Sequence, residues 1–285
     1  MTGTTEGADP LAPSAAAVEA AWAERVRANR DQVDRIREVA DGRDFYAPTS
    51  SLFRADPLRT DDPVLDALVA LTRPEDAWLD IGAGAGRFAL PIALRVREVI
   101  ALDPSVGMLD GLRAGMSEYG IANIRVLEGR WPEAADELRA DVALIAHVGY
   151  DIEAIGAFVD AMERAAARLC VAVLMDRAPA ALADPFWAAI HGEHRVPLPA
   201  LAELLTLLIA RRRRFELRRV PSPPRRWVGV DDALRFLRQQ LWVALDGGAE
   251  RRLRALVEAL PRDGNGGVQL STADRDIGIA TWRPE

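Results

Sequence analysis

The sequence contains no lysine: all 36 of its Lys+Arg side chains are arginines. This absence excludes several kinds of enzyme chemistry. A P-loop ATPase needs its phosphate-binding lysine, and a pyridoxal-phosphate enzyme or a Schiff-base aldolase needs an amine nucleophile. A dehydrogenase that depends on a Tyr-x-x-x-Lys site is excluded for the same reason.

Cysteine and long apolar runs are also scarce. The single cysteine, Cys170, allows neither an internal disulfide nor a cysteine-based metal site. No apolar run approaches the roughly 20 residues needed to cross a bilayer. The segment Met1–Pro13 is small, polar and slightly acidic, without the apolar core of a signal peptide. We therefore expect a cytoplasmic protein with no membrane partner.

The composition is that of a globular protein. Its 285 residues are 49% hydrophobic and 28% charged, which suits one α/β core with an added helical part. The formal net charge of −7 disfavours a nucleic-acid substrate, because phosphate neutralisation normally requires a cationic face.

The N-terminal part predicts a disordered tail at residues 1–13 and an amphipathic helix, Ser14–Ala40. A loop, Arg43–Thr60, follows and is interpreted as a lid, so that residues 14–62 form one unit. Asp61 or Asp62 then caps a short helix, Pro63–Leu71.

From Asp76 onward, apolar runs of strand length alternate with helical patterns, which predicts a parallel sheet buried on both faces. The predicted strands are Ala77–Ile81, Val99–Leu102, Ile124–Leu127, Val142–Ala146 and Leu169–Met175, and the helices are Arg87–Val96, Val106–Tyr119, Pro132–Leu138 and Ile152–Ala167.

The C-terminal part predicts a helix, Leu198–Ala210, and two more strands, Phe215–Val220 and Ile277–Trp282. Two helical patterns between those strands, Asp231–Ala244 and Ala249–Leu260, form an insert at about residues 222–274. This insert is the candidate substrate lid, because residues that form binding sites often lie on the segments that connect strands and helices. Residues 63–285 are thus predicted to form an α/β domain with a seven-stranded, mostly parallel sheet and helices on both faces.

The strand Ala77–Ile81 runs directly into Gly82-Ala83-Gly84-Ala85-Gly86 and then into a helix. Glycines permit a tight turn and a close backbone approach to a ligand, and a helix N-terminus offers free N–H groups to an anion. With Asp80 two residues earlier, the segment resembles the first motif of class I S-adenosylmethionine-dependent methyltransferases. The resemblance covers about residues 76–175. It implies a Rossmann-like fold and S-adenosyl-L-methionine as cofactor, held by Asp80, Gly82, Ala83, Gly84 and Gly86.

A dinucleotide-binding fold is the alternative, because Gly84-x-Gly86-x-x-Ala89 also satisfies the Gly-x-Gly-x-x-Gly/Ala pattern. Asp80 at the strand end, where dinucleotide strands are usually apolar, and the absence of lysine favour the methyltransferase.

Asp103 ends the second predicted strand about 20 residues after the glycines, where a carboxylate can accept both hydroxyls of a ribose. An aspartate at a strand end can otherwise be a helix cap. The resemblance implies that the turn with Pro104 and Met108 lies against the adenine. After the third strand, Gly129 is followed by Arg130, where methyltransferases usually have an acidic residue. We still expect Gly129, Arg130 and Trp131 to bind the cofactor, because backbone N–H groups could bind adenine; Trp131 could stack on adenine or belong to the core.

His147 and Tyr150 follow the fourth strand, at the edge where ligands bind in such sheets. They are the candidate catalytic residues. His147 could orient the methionine moiety or accept a proton from a substrate hydroxyl; alternatively, it is a histidine bonded to backbone at a strand end. Metal-dependent catechol methyltransferases need a carboxylate here, so we expect a metal-independent site. Neither Asn/Asp-Pro-Pro-Tyr nor Pro-Cys, the motifs of DNA methyltransferases, is present.

Two further clusters are weaker candidates. His191 and His194 have the spacing of a metal pair but lack a third ligand, so an exposed loop is at least as good an interpretation. The run Arg211–Arg214, with Arg218, Arg219, Arg225 and Arg226, is interpreted as a solvated surface and not as a nucleic-acid site.

The sequence thus predicts a methyltransferase that methylates an oxygen or nitrogen of a small molecule. The alternatives are a non-catalytic protein that binds S-adenosylmethionine or S-adenosylhomocysteine and a nicotinamide-dinucleotide-dependent enzyme. The acceptor and the oligomeric state stay open.

Overall fold

The structure, a computed structural model, describes residues 13–40, 53–134, 137–222, 224–264, 266–270 and 275–284. The predicted tail falls almost entirely outside the described residues, as does the larger part of the predicted lid loop, residues 43–52. None of the described helices is long and apolar enough to span a membrane.

The centre of the fold is a seven-stranded sheet with the order β3-β2-β1-β4-β5-β9-β6. Strands β1 to β5 are parallel, and β9 is antiparallel to both of its neighbours. All five residues of β1 are buried, as the continuous apolar run requires for a strand covered on both faces. The sheet strands are β1 Ala77–Ile81, β2 Glu98–Asp103, β3 Ile124–Glu128, β4 Ala140–Ala146, β5 Ala166–Met175, β6 Phe215–Pro221 and β9 Asp276–Trp282.

Helices cover both faces of this sheet and form two separate cores. One core joins α1, α5 and α7 to the residues of one face, including Leu79. The other joins α2, α3 and α4 to the opposite face, including Trp78. The helices are α1 Ala15–Ile36, α2 Pro63–Val69, α3 Ala89–Ala93, α4 Val106–Tyr119, α5 Ile155–Ala165, α6 Asp184–His191, α7 Leu201–Ala210, α8 Val230–Leu241 and α9 Gly248–Glu258. The predicted Rossmann-like fold class is confirmed.

The insert between β6 and β9 contains α8, α9 and a two-stranded sheet of β7 (Arg225–Trp227) and β8 (Val268–Leu270). Together with α6 it forms a third hydrophobic core, which also receives Val33 of α1. Because β6 and β5 are both antiparallel to β9, β6 ends at the carboxyl edge of the parallel strands. The insert therefore leaves the sheet and returns to it at the edge where ligands bind in such folds.

Several predicted elements differ from the structure. The predicted helix Pro132–Leu138 is not found among its described residues: residues 132–134 form a turn, and neither Glu137 nor Leu138 is α-helical. Helix α3 is five residues long instead of ten. The pattern also missed α6 and the β7–β8 pair, whose lengths are too short to produce a clear period.

Candidate active site

The glycine loop turns sharply at the carboxyl end of β1. The N–H groups of Gly82 and Ala83 both donate to the Leu102 carbonyl of β2, at 2.7 and 3.1 Å. Gly82, Gly84 and Gly86 have φ values of 76°, 54° and 83°, in the left-handed region that favours glycine. The loop therefore needs its glycines for its conformation.

The three glycines differ in what lies beside them. A Cβ on Gly82 would lie 2.4 Å from Val148, and a Cβ on Gly86 would lie 2.5 Å from Leu112, so both positions are closed by packing. A Cβ on Gly84 would meet only the Met108 sulfur, at 3.9 Å, among the described atoms within 4 Å. Gly84 is thus the glycine whose open side can admit a ligand.

The Asp103 carboxylate lies directly against this loop. Its Oδ2 accepts the Gly84 N–H and its Oδ1 accepts the Ser105 N–H, both at 2.8 Å. The cap of α4 is Ser105, whose hydroxyl accepts the Met108 N–H, so the alternative of Asp103 as the helix cap is wrong. Pro104 is exposed on the turn between them, and Met108 is buried beside Gly84.

Asp80 is a buried carboxylate on β1, two residues before the glycine loop. It is 3% exposed, and its Oδ1 has no hydrogen-bond partner among the described residues. Burial, and to a smaller extent the Asp103 charge, raises the pKa of Asp80 to about 7. A buried polar atom without a partner is uncommon in a folded protein, and this one is available to the hydrogen-bond donor of a ligand.

The segment after β3 carries three predicted cofactor residues with different surroundings. Gly129 donates its N–H to the Asp103 carbonyl at 3.1 Å. Arg130 is exposed. Trp131 is buried, donates its indole N–H to the Phe158 carbonyl at 3.1 Å and packs edge-on against the Phe158 ring. Of the two predicted roles of Trp131, membership of the core accounts for these contacts.

His147 follows β4 directly, in a left-handed conformation with φ of 59°, which is uncommon for a residue other than glycine. Its backbone N–H donates to the Val173 carbonyl at 2.8 Å, and its Nδ1 lies 3.5 Å from the Tyr150 hydroxyl. Burial and then the Arg87 charge lower the pKa of His147 to about 4, against the opposing effect of Asp62. The imidazole is therefore neutral near pH 7 and only weakly basic.

Tyr150 is buried behind His147. Its hydroxyl oxygen accepts the Met175 N–H at 2.8 Å, which ties the loop after β4 to the end of β5. Burial raises the pKa of Tyr150, so the phenol keeps its proton.

Sequence reasoning missed an ion-pair cluster beside His147. Asp62 caps α2, and its Oδ2 also accepts hydrogen bonds from Arg59 at 2.9 Å and from Arg87 at 2.7 Å. Arg87 follows the last glycine of the loop directly, and that position was its signal. Asp62 was predicted only as a cap.

The other predicted clusters lie elsewhere. Cys170 is buried inside β5, and burial raises the pKa of its thiol. The His191 ring contacts the Leu241 carbonyl and the Trp187 ring, whereas His194 is exposed. Within the described ranges, no group of three His, Cys, Asp or Glu side chains could hold a metal.

The arginine run after α7 is largely paired with acidic groups. Arg211 bonds both Asp160 and Glu19. Arg213 makes two bonds of 2.8 Å to the buried Glu163. Both arginines are largely buried in these ion pairs, so the prediction that the run is solvated is wrong for Arg211 and Arg213.

Comparison with known proteins agrees with this geometry. Residues 79–170 match a family model described as a methyltransferase domain. An uncharacterized protein from Haemophilus influenzae is 39% identical over 71 residues, which is 25% of this chain and 26% of that relative. The chain thus matches about a quarter of the length of this curated relative.

Solved structures support the fold. The YcgJ protein of Bacillus subtilis superposes with a TM-score of 0.52 at 19% identity, over 78% of this chain and 98% of that one. Magnesium protoporphyrin IX methyltransferase from Synechocystis, with bound S-adenosylhomocysteine, superposes with a TM-score of 0.51 at 13% identity, over 85% and 97% of the two chains. Residues 79–170 therefore match a methyltransferase domain, and the strand order around them has the class I, Rossmann-like arrangement.

Proposed function

We propose that this protein transfers a methyl group from S-adenosyl-L-methionine to an oxygen or nitrogen of a small molecule, without a metal ion. The observation that carries the proposal is the open side of Gly84 beneath the Asp103 carboxylate. A ligand there meets the backbone of a tight turn on one side and a buried acceptor on the other.

The residues of the loop suit this cofactor. Gly84 permits close approach, Asp103 would accept ribose hydroxyls, and Met108 would flank the adenine. Asp80 Oδ1, which no described residue bonds, would supply a buried acceptor for the cationic methionine part. Gly82, Ala83 and Gly86 shape the turn, and Pro104 and Gly129 border it. Arg130 and Trp131 contribute less, because one is exposed and the other packs in the core.

When bound, S-adenosylmethionine supplies an activated methyl group on a sulfonium. The protein therefore needs mainly to align the acceptor atom and to exclude water. His147 would accept a hydrogen bond from the acceptor, and its pKa of about 4 argues against a role as a strong base at neutral pH. Tyr150 would act as a positioning residue that holds the His147 ring.

Two observations favour a metal-independent reaction on a small molecule. The position after β4 carries His147 and not a carboxylate, and no group of three His, Cys, Asp or Glu side chains among the described residues could hold a metal. The insert returns to the carboxyl edge of the sheet, where it can enclose an acceptor of limited size.

Thermal denaturation with S-adenosylhomocysteine or NAD tests the cofactor. We expect S-adenosylhomocysteine to raise the melting temperature and NAD to leave it unchanged. Stabilisation by NAD alone would instead indicate a nicotinamide-dependent enzyme.

Incubation with S-adenosylmethionine and a panel of small alcohols, phenols, carboxylic acids and amines, followed by mass spectrometry, tests turnover. Binding without methylation of any panel member would contradict catalysis and favour a regulatory binder.

A further inference from the structure

Strand β6 forms one edge of the seven-stranded sheet. It pairs with β9 on one side, and on the other side it has no neighbouring strand in the part of the chain that the structure describes. Four consecutive residues of β6 are exposed: Glu216, Leu217, Arg218 and Arg219. Leu217 is 39% exposed although it lies in the middle of the strand. An exposed edge strand offers its unpaired backbone groups to another strand.

The hydrogen bonds between β6 and β9 decide which backbone groups of β6 face outward. The register of this pair continues past the strand ends, where Ser222 donates its N–H to the Arg275 carbonyl at 2.9 Å. Because hydrogen-bonded and non-hydrogen-bonded pairs alternate in an antiparallel ladder, the even-numbered residues of β6 bond to β9. The backbone N–H and C=O groups of Phe215, Leu217 and Arg219 therefore point away from the sheet.

This row of outward groups is symmetric about Leu217. Two antiparallel copies of β6 centred on this residue would place Leu217 opposite its own copy. Phe215 would lie opposite Arg219 of the second copy, and each of these pairs could exchange both of its backbone hydrogen bonds. Pro221, which has no N–H to donate, lies beyond the last pair and does not interrupt the ladder.

The same register brings opposite charges together. Glu216 would lie opposite Arg218 of the second copy in a non-hydrogen-bonded pair, in which the side chains approach most closely. Among the described residues, neither side chain has an ion-pair or hydrogen-bond partner. Centring the pair one residue earlier or later would instead place Glu216 opposite Glu216 or Arg218 opposite Arg218, which is unfavourable. The charges thus favour the register that the backbone allows.

We propose that β6 pairs antiparallel with β6 of a second copy of this chain, centred on Leu217, so that the two sheets continue into one another across a twofold axis. Both copies use the same surface, so the contact is closed and gives a dimer and not a fibre. It covers the exposed Leu217 and gives Glu216 and Arg218 the partners that they lack among the described residues. This dimer does not depend on the proposed methyl transfer.

Sedimentation velocity over a range of protein concentrations tests the dimer and its register. The wild type should approach twice the chain mass of 31.1 kDa as the concentration rises. Glu216→Arg and Arg218→Glu each place like charges opposite one another, and each should raise the dissociation constant roughly tenfold or more. The double variant, Glu216→Arg with Arg218→Glu, exchanges the two charges and should restore the dissociation constant of the wild type.

Arg226→Glu is the matched control, because it reverses the charge of another exposed arginine, on β7, and should leave the dimer unchanged. A wild type that sediments as one chain at every concentration, or as an assembly larger than two chains, would overturn the proposal. A dimer that both single variants leave intact would also overturn it, since the two copies would then meet at another surface. A double variant that dimerises as weakly as the single variants would refute the register.

Discussion

Asp80 makes the stability of this protein dependent on pH in a way that one substitution can isolate. Its carboxyl group is buried near the end of β1, its Oδ1 has no partner in the part of the chain that the structure describes, and its pKa is raised from 3.8 to about 7. The folded state therefore holds the proton more tightly than the unfolded state. The resulting stability is fully present below pH 3.8 and is lost as the pH rises through about 7.

The magnitude follows from the shift. Each unit of pH between the two pKa values costs about 1.4 kcal/mol of unfolding free energy. Between pH 5 and pH 8, about two pH units, from 5 to 7, lie between the two pKa values. Asp80 alone should therefore lower the unfolding free energy of the wild type by roughly 3 kcal/mol over this range. Asp80→Asn has no proton to lose and should not show this decline.

Urea unfolding monitored by circular dichroism at pH 5 and pH 8 measures the effect. The stability of Asp80→Asn relative to the wild type should increase by roughly 3 kcal/mol between the two pH values. The control is Asp110→Asn, which removes the same charge from an exposed carboxylate paired with Arg113. It should change by less than about 0.5 kcal/mol. If the wild type and Asp80→Asn changed in parallel with pH, the argument from burial would be refuted.

Two further substitutions test buried polar contacts of the fold. Glu163→Gln removes the charge that holds Arg213 and that accepts the Trp282 indole N–H. It should lower the unfolding free energy in urea by about 3–5 kcal/mol, and a loss below about 1 kcal/mol would contradict a buried pair. Tyr150→Phe leaves the Met175 N–H without its acceptor and should cost about 1–3 kcal/mol, while also lowering methyl transfer at saturating cofactor; unchanged stability and activity would show that the hydroxyl positions nothing.

The elements whose bounds the sequence predicted most accurately have residues at their ends that mark where the strand or helix begins or stops. β1 was predicted at both of its bounds, because an apolar run stops at Gly82. α4 was also predicted at both bounds, since Ser105 caps its start and Gly120, in a left-handed conformation, ends it. The glycine loop and Asp103 are local features as well, so their proximity follows from two adjacent parallel strands.

The parts that the sequence did not reveal depend on distant contacts. Trp131 suited both stacking and core roles until its bond to Phe158 was known. Arg225 was grouped with a solvated arginine surface, because nothing local shows that its strand leaves the ligand-binding edge and stacks it on Phe236. Asp62 was predicted as a cap, and its second role depends on Arg87, 25 residues later.

The most direct test of the central claim is the affinity of S-adenosylhomocysteine for Gly84→Ala and Gly120→Ala, measured by isothermal titration calorimetry. Both glycines have positive φ, 54° and 64°, and an added Cβ meets no described atom closer than 3.9 Å at Gly84 and none within 4 Å at Gly120. The backbone cost, about 1–2 kcal/mol, should be the same at both positions. We predict wild-type affinity for Gly120→Ala and at least a tenfold loss, about 1.4 kcal/mol, for Gly84→Ala, whose methyl group enters the proposed cofactor space. Equal affinity of both variants and the wild type, or no binding by the wild type, would contradict the account.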